Sequence, residues 1–182
     1  MSVLIHIKRS LRSLISSWIK KPQVDPYFST HELKKTKAIL VVFVESKAKL
    51  KAVLQDLPHT NGPLESVKVV IFSNKPLKDV HSSDEVLYMS QDDFTLGGRL
   101  NQGVVKFIKH KHVDLLMGLN DSDDWWFCQL IQQLPAHFKT GLSRHLEVMG
   151  CHLVLTINPV PNKISDNFEE LLRHLKKLKI YH

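Results

Sequence analysis

The sequence predicts an α/β fold: a Rossmann-like three-layer sandwich around a mostly parallel six-stranded sheet, preceded by an N-terminal amphipathic helix. Three observations support this class. Short apolar segments rich in β-branched residues alternate with segments of helical periodicity, and the connections between them are short. The chain has 182 residues, of which 43% are hydrophobic and 24% charged, a size and composition typical of one well-buried domain. Right-handed crossovers favour the strand order 3-2-1-4-5-6.

The first half of the domain is expected to contribute three strands and one helix. Residues 38–44 form an uninterrupted apolar run, which is typical of a strand covered on both faces. A helix is expected over 48–57, with Ser46 as its N-cap and a proline directly after it. The second and third strands are expected at 67–72 and 86–89.

The second half continues this alternation. Helices are expected over 104–110 and 125–134, and the fourth to sixth strands over 113–119, 138–142 and 153–157.

The final helix has the clearest pattern in the chain. Asp166, followed three residues later by Glu169, predicts a capping box at its start. Its apolar stripe consists of Phe168, Leu171, Leu172, Leu175 and Leu178.

The beginning of the chain predicts a basic amphipathic helix. We divide the chain into an N-terminal segment (1–21), a linker (22–33) and an α/β domain (34–182). The N-terminal segment contains no acidic residue, and its apolar residues recur at the helical period with cations and serines around them. The residues expected to contact a partner or a membrane are Ile7, Lys8, Arg9, Leu11, Arg12, Leu14, Ile15, Trp18, Ile19, Lys20 and Lys21.

The positive charge is concentrated at this end. Residues 1–60 contain 11 Lys and Arg against 4 Asp and Glu, whereas residues 61–182 contain 14 of each, so the formal net charge of +7 comes from the first third. A nucleic-acid-binding domain usually takes cations from several elements, and no DNA partner is expected. The pattern favours a tether to an anionic membrane surface or to a protein or ribonucleoprotein assembly. Packing of the apolar stripe against the domain's own sheet is the open alternative.

The N-terminal segment and the cysteine content indicate the expected cellular location. No apolar run approaches the roughly 18 residues of a membrane span, and Lys8, Arg9 and Arg12 interrupt any secretory signal. An organelle transit peptide is an open alternative. With only Cys128 and Cys151, no disulfide framework is expected. The expected location is cytoplasmic, with peripheral attachment to the inner face of the membrane as the alternative.

The chain offers no recognisable catalytic motif. It lacks a GxSxG elbow, an HExxH pair and a phosphate-binding GxxxxGK loop. The loop after the first strand, Glu45-Ser46-Lys47, has no glycine and carries an acid, so dinucleotide binding is not expected. Cys128 is interpreted as helix packing rather than as a nucleophile. We therefore expect no catalytic residue, no cofactor and no metal site.

The remaining candidates for ligand binding lie at the carboxyl ends of the strands. Asp121, Asp123 and Asp124 follow the fourth strand near the expected reversal of strand order, where open α/β sheets bind ligands. Three carboxylates suit Mg²⁺, but capping of the next helix is the favoured interpretation. Arg99 follows two glycines that favour a simple turn over a phosphate contact. At least one aromatic residue of the run 125–127 is expected to be exposed for a partner.

A resemblance to a known family adds to this interpretation. The residues that carry it run from YMSQDDFTLGGRLN through VDLLMGLNDSDDWW and FKTGL to NFEELLRHL. This pattern resembles a domain-of-unknown-function family of small bacterial proteins that begin with a basic helix. The unit VDLLMGLN…FKTGL is also faintly similar to the acceptor half of heptosyltransferase-like glycosyltransferases. That similarity implies a half-domain without transferase activity, because those enzymes use two such domains.

The expected function is therefore a non-enzymatic adaptor or binding domain, attached through the N-terminal segment. The alternative is a small ligand-binding domain or enzyme, nucleotide- or sugar-related, acting at the strand carboxyl ends. No particular small-molecule substrate can be identified from the sequence.

Overall fold

The computed structural model describes residues 36–57, 64–77, 79–109, 113–142, 151, 153–154 and 163–177. The expected amphipathic helix over 1–21 and the linker over 22–33 lie outside these residues. The described part contains six strands and four α-helices. They are β1 (Lys37–Phe43), α1 (Lys47–Asp56), β2 (Ser66–Ser73), β3 (Val86–Ser90), α2 (Gln102–Lys109), β4 (Leu115–Gly118), α3 (Trp125–Gln133), β5 (Phe138–Gly141), β6 (Leu153–Val154) and α4 (Ile164–Lys177).

The strands form a parallel sheet in the order β3-β2-β1-β4-β5, and β6 lies beside β5. The central strand β1 pairs in parallel with β2 on one side and with β4 on the other. The α/β class and the parallel order of the first five strands are confirmed. At the sixth position the structure describes two residues, which pair in parallel with Thr140 and Gly141, and the rest of the expected strand lies outside the described part.

Helices cover the sheet on both faces, as the run of apolar residues in β1 predicts. Leu40 and Val42 belong to a core that also contains α1 and α4. Ile39 and Val41 point the other way, into a core formed with α2 and α3. Because alternate residues of a strand face opposite sides, a strand buried on both faces must be apolar throughout.

Two of the three predicted helix starts are confirmed. The Ser46 side chain accepts a hydrogen bond from the Lys49 amide at 3.5 Å, and Asp124 Oδ1 accepts one from the Phe127 amide at 3.0 Å. These side chains satisfy main-chain donors that a first helical turn leaves without partners.

The predicted capping box of the last helix is wrong. Helix α4 starts at Ile164, so Asp166 lies inside its first turn. The cap comes instead from Asp56 at the end of α1, whose carboxylate accepts hydrogen bonds from the amides of Ile164 and Ser165 and from the Ser165 hydroxyl. Burial alone would raise the pKa of Asp56, but these hydrogen bonds outweigh burial and lower it. The cap of α4 therefore comes from Asp56, which is distant in the sequence, and not from a residue next to the helix start.

Strand β3 forms an edge of the sheet, and its outward amides are already engaged. The Val86 amide donates to Ser83 Oγ and the Tyr88 amide to Ser82 Oγ, both at 3.1 Å. The Ser90 amide donates to Asp93 Oδ2 at 2.8 Å. The preceding loop and the following turn therefore occupy the open side of this strand.

Candidate functional site

A cleft of about 430 Å³ opens at the carboxyl ends of β1 and β4. The order of the strands reverses between these two strands, and the helices that follow them, α1 and α3, lie on opposite faces. This is the position at which open α/β sheets bind ligands. The residues that line the cleft are Phe43, Glu45, Lys49, Val53, Asn74, Asn120, Asp121, Ser122, Asp123, Asp124 and Ile164.

Asn120 lines the cleft and joins the ends of β1 and β4. Its Oδ1 accepts a hydrogen bond from the Phe43 amide at 2.7 Å, and its Nδ2 donates to the Phe43 carbonyl at 3.3 Å. The side chain thus extends the pairing of β1 and β4 by one step beyond the strands. Sequence reasoning did not assign this role, although an asparagine directly after a buried strand is a recognisable signal.

The three aspartates predicted from the sequence all line the cleft. They differ in burial and in structural role. Asp124 is the N-cap of α3, and its own amide donates to Ser122 Oγ at 3.2 Å. Asp121 and Asp123 are exposed. Within the described ranges, no group of three or more His, Cys, Asp or Glu residues is arranged to hold a metal ion. The hydrogen bond from the Phe127 amide to Asp124 Oδ1 confirms the capping interpretation for Asp124.

Lys49 is the one cation among the lining residues that the structure describes. Lys49 Nζ lies 2.5 Å from Glu45 Oε2, and both side chains are about half exposed to solvent. Four carboxylates and this one ammonium group are the charged groups of the described lining, so that lining carries a net negative charge. Such a cleft favours cationic or hydroxyl-rich ligands over phosphates.

The structure separates Arg99 from the aspartates. Arg99 is exposed on a turn in which the Gly98 amide donates to the Thr95 carbonyl at 2.8 Å, and Gly98 has a φ of 73°. Gln133 holds this turn by donating to the Gly98 carbonyl and accepting from the Leu100 amide. The amides of Gly98, Arg99 and Leu100 are therefore engaged within the protein. Gln133 ends α3 whereas the cleft lies at its start, and a helix of 9 residues is about 13 Å long.

The aromatic run at the start of α3 does not expose a ring, so this prediction is wrong. Trp125 and Trp126 are partly buried and Phe127 is fully buried. The Trp126 ring packs against Phe94 with a centroid distance of 5.0 Å, because the segment after β3 folds across this side of the helix. Among the described residues, the large apolar side chains that are exposed are Leu54 and Leu96.

Cys128 is unsuited to nucleophilic chemistry. Burial, followed by the negative charge of Asp124, raises the pKa of its thiol to about 12. A cysteine needs its thiolate form to react, and at neutral pH almost none is present at this pKa. The interpretation of Cys128 as a packing residue is consistent with its burial in the core between the sheet and α3.

Lys139 is the buried charge that sequence reasoning missed. The side chain, which lies on β5, is 1% exposed, and its Nζ donates to the carbonyls of Ile131 and Gln132 at 3.1 and 2.7 Å. Burial lowers the pKa of Lys139 to about 8, while the neighbouring Cys151 acts in the opposite direction. The ammonium group satisfies carbonyls at the negative end of the α3 dipole. Its signal in the sequence was a single lysine within an otherwise uncharged predicted strand.

The sequence matches the model of one protein family over residues 8–178. That family is described as a family of unknown function, and the expected relation to such a family is confirmed. The resemblance to heptosyltransferase-like glycosyltransferases has no support. No curated protein matches the sequence. Because the match covers almost the whole chain, the protein belongs to the family of unknown function DUF6913.

Proposed function

We propose that this chain is a non-enzymatic adaptor or binding domain, attached through its N-terminal segment to a membrane surface or to a large protein or ribonucleoprotein assembly. The observation that carries the proposal is the confinement of the net positive charge to the first third of the sequence. In the proposed architecture, this segment is an amphipathic helix and the sheet behind it has six strands. The location is cytoplasmic, including the inner face of the membrane.

The chemistry of the described domain supports a binding role. Asp124, Asn120 and Lys139 each take part in hydrogen bonds that hold strands or helix ends, and Cys128 is buried with a raised pKa. No helix in the described part of the chain is long and apolar enough to cross a membrane.

The physical basis of attachment is electrostatic and hydrophobic together. Each cation held near an anionic bilayer contributes about 1 kcal/mol, and the N-terminal segment carries five. Burial of its apolar stripe adds to this attraction. Binding should therefore weaken as the salt concentration rises, because ions screen the charges.

Flotation with vesicles of anionic lipid tests this proposal. In the test variant, Lys8, Arg9, Arg12, Lys20 and Lys21 are replaced by Gln. In the matched control, five exposed lysines of the domain, Lys51, Lys75, Lys163, Lys176 and Lys177, are replaced by Gln, so both variants lose the same charge. The test variant should lose vesicle binding and the control should keep it. Equal flotation of the two variants would contradict membrane attachment.

Gradient fractionation separates the two kinds of surface. If the segment docks on a protein or ribonucleoprotein particle, co-migration with that particle should survive mild detergent, whereas detergent should release lipid-bound protein. Loss of co-migration in the five-Gln variant and not in its control assigns the attachment to the N-terminal segment.

The cleft at the strand carboxyl ends supports a second candidate, a small-molecule site. Its volume of about 430 Å³ and its position at the reversal of strand order are those of ligand sites in this fold class. A thermal-shift screen should include nucleosides, sugars, nucleotide-sugars and Mg²⁺. A ligand at 100 times its Kd stabilises the fold by about 2.7 kcal/mol. Asp121→Ala should abolish a shift that comes from this cleft, and a shift that survives the substitution places the ligand elsewhere.

A further inference from the structure

The turn 95–100 holds a leucine and an arginine out in solvent. Leu96 is 104% exposed, so its side chain contacts almost nothing else in the domain. Arg99 is exposed on the same turn. A single exposed leucine is common on protein surfaces, and this one is informative only because of the way in which its turn is held.

Hydrogen bonds fix the shape of this turn. The Thr95 amide donates to the Arg99 carbonyl, and the Gly98 amide donates to the Thr95 carbonyl, both at 2.8 Å. From α3, Gln133 Nε2 donates to the Gly98 carbonyl at 2.7 Å, and Gln133 Oε1 accepts from the Leu100 amide at 2.9 Å.

The base of the turn is anchored in the core. Phe94 and Leu100 form an antiparallel bridge, and both are 8% exposed. A loop that already has its bound shape loses little conformational entropy when it binds. The turn therefore presents Leu96 and Arg99 as a preformed pair of one apolar and one cationic side chain.

The cleft at the carboxyl ends of β1 and β4 contains two carboxylates whose charge is not compensated. Glu45 is paired with Lys49, and Asp124 is the N-cap of α3. Asp121 and Asp123 are exposed, and neither forms an ion pair with a described residue.

The turn and the cleft are complementary in both charge and polarity. The cleft lining includes the apolar side chains of Phe43, Val53 and Ile164 beside the aspartates. Within the described ranges, Arg99 also lacks an ion-pair partner. A guanidinium group binds carboxylates strongly, because its planar donors match two carboxylate oxygens.

The fold keeps these two features apart within one molecule. Gln133, which holds the turn, is at the end of α3, whereas Asp124 and the cleft are at its start. The helix has 9 residues and is about 13 Å long. Complementary features that cannot meet within a molecule can still meet between two copies of it.

We propose that the turn 95–100 of one copy enters the cleft of a second copy. Leu96 then packs against the apolar lining, and Arg99 pairs with Asp121 and Asp123. The second copy thus contributes two side chains to the cleft. Each copy uses its turn in one contact and its cleft in another, so association proceeds head to tail. A contact made by one turn is small, and we expect the association to be weak.

This self-association goes beyond the proposed functions. It does not depend on attachment through the N-terminal segment. Because the turn and a small-molecule ligand would occupy the same cleft, such a ligand should dissociate the copies.

Sedimentation velocity of the full chain, from about 10 µM to about 1 mM, tests the proposal. The sedimentation coefficient of the wild type should rise with concentration. Arg99→Glu and the double variant Asp121→Lys/Asp123→Lys should each remain monomeric, because like charges then meet at the contact. Leu96→Ser should weaken the association about tenfold or more. The control Lys176→Glu makes the same change of charge as Arg99→Glu at an exposed position of α4 and should associate like the wild type.

Mixing the two monomeric variants tests the head-to-tail geometry. Arg99→Glu keeps an intact cleft, and Asp121→Lys/Asp123→Lys keeps an intact turn. An equimolar mixture should therefore form dimers that contain one copy of each variant, and nothing larger. A chain that carries all three substitutions should regain self-association through the exchanged charges.

Three results would overturn the proposal. The first is a wild type that stays monomeric at about 1 mM. The second is association that Arg99→Glu leaves unchanged, which would place the contact elsewhere on the chain. The third is a mixture of the two variants without dimers. All substituted positions are exposed, and circular dichroism of each variant verifies that it is folded.

Discussion

Replacement of Lys139 by Met should change how the stability of the protein depends on pH. The ammonium group of Lys139 lies between β5 and the last turn of α3, where it donates to the carbonyls of Ile131 and Gln132. Burial lowers its pKa from 10.5, the ordinary value for lysine, to about 8. Met has a similar length and cannot titrate, so the substitution removes this proton-binding site without leaving a large cavity.

The sign and size of the effect follow from proton linkage. Between pH 8 and 10.5 the unfolded chain holds a proton on Lys139 that the folded chain has lost, so stability rises with pH in this window. At about 1.4 kcal/mol per pH unit, the full difference is about 3 kcal/mol, most of which should appear between pH 7 and 10. Cys128 and Cys151 titrate in both proteins and cancel in the comparison.

Urea unfolding of both proteins at pH 7, 8, 9 and 10, followed by tryptophan fluorescence, measures this difference. The free energy of unfolding of the wild type should gain about 2–3 kcal/mol relative to Lys139→Met across the series. Lys51→Met, at an exposed position of α1, should run parallel to the wild type. Parallel curves for Lys139→Met and the wild type would refute the assignment of Lys139 as a buried ammonium.

Three further substitutions test the contacts around the cleft and the helix ends. Asp56→Ala should lower the free energy of unfolding by about 1–2 kcal/mol at pH 7, because α4 loses its cap. The loss should shrink as the pH falls through the lowered pKa of Asp56, and a constant loss would argue against a charged cap. Asp124→Ala should cost about 1 kcal/mol, whereas exposed Asp123→Ala should stay within about 0.5 kcal/mol, both measured by urea unfolding. Gln133→Ala should speed proteolytic cleavage in the turn 95–100, and unchanged cleavage would show that Gln133 does not hold it.

Local sequence patterns predicted most of the described fold. The apolar run over 38–44 specified a strand buried on both faces, and alternation with helical segments specified the parallel sheet. Asp124 was predicted as a cap because its partner, the Phe127 amide, lies three residues away. Features that depend on neighbours in the sequence are therefore accessible without a structure.

Features that depend on distant contacts were missed. Asp56 caps a helix that starts more than 100 residues later, and the local pair of Asp166 and Glu169 gave no sign of this. The burial of Lys139 depends on where the end of α3 meets β5. Likewise, Arg99 and the three aspartates are ligand-type residues, yet only the fold determines that they lie at opposite ends of one helix.

The outward amides of the edge strand β3 already donate hydrogen bonds within the protein, and this limits how the protein can associate. Two serine hydroxyls and one carboxylate accept hydrogen bonds from the amides that an added strand would need. Neither a second copy nor an extended peptide can therefore continue the sheet on this side. Partners at this side must be recognised through side chains rather than through main-chain pairing. The same arrangement protects crowded or freshly synthesised molecules from stacking edge to edge into fibrils.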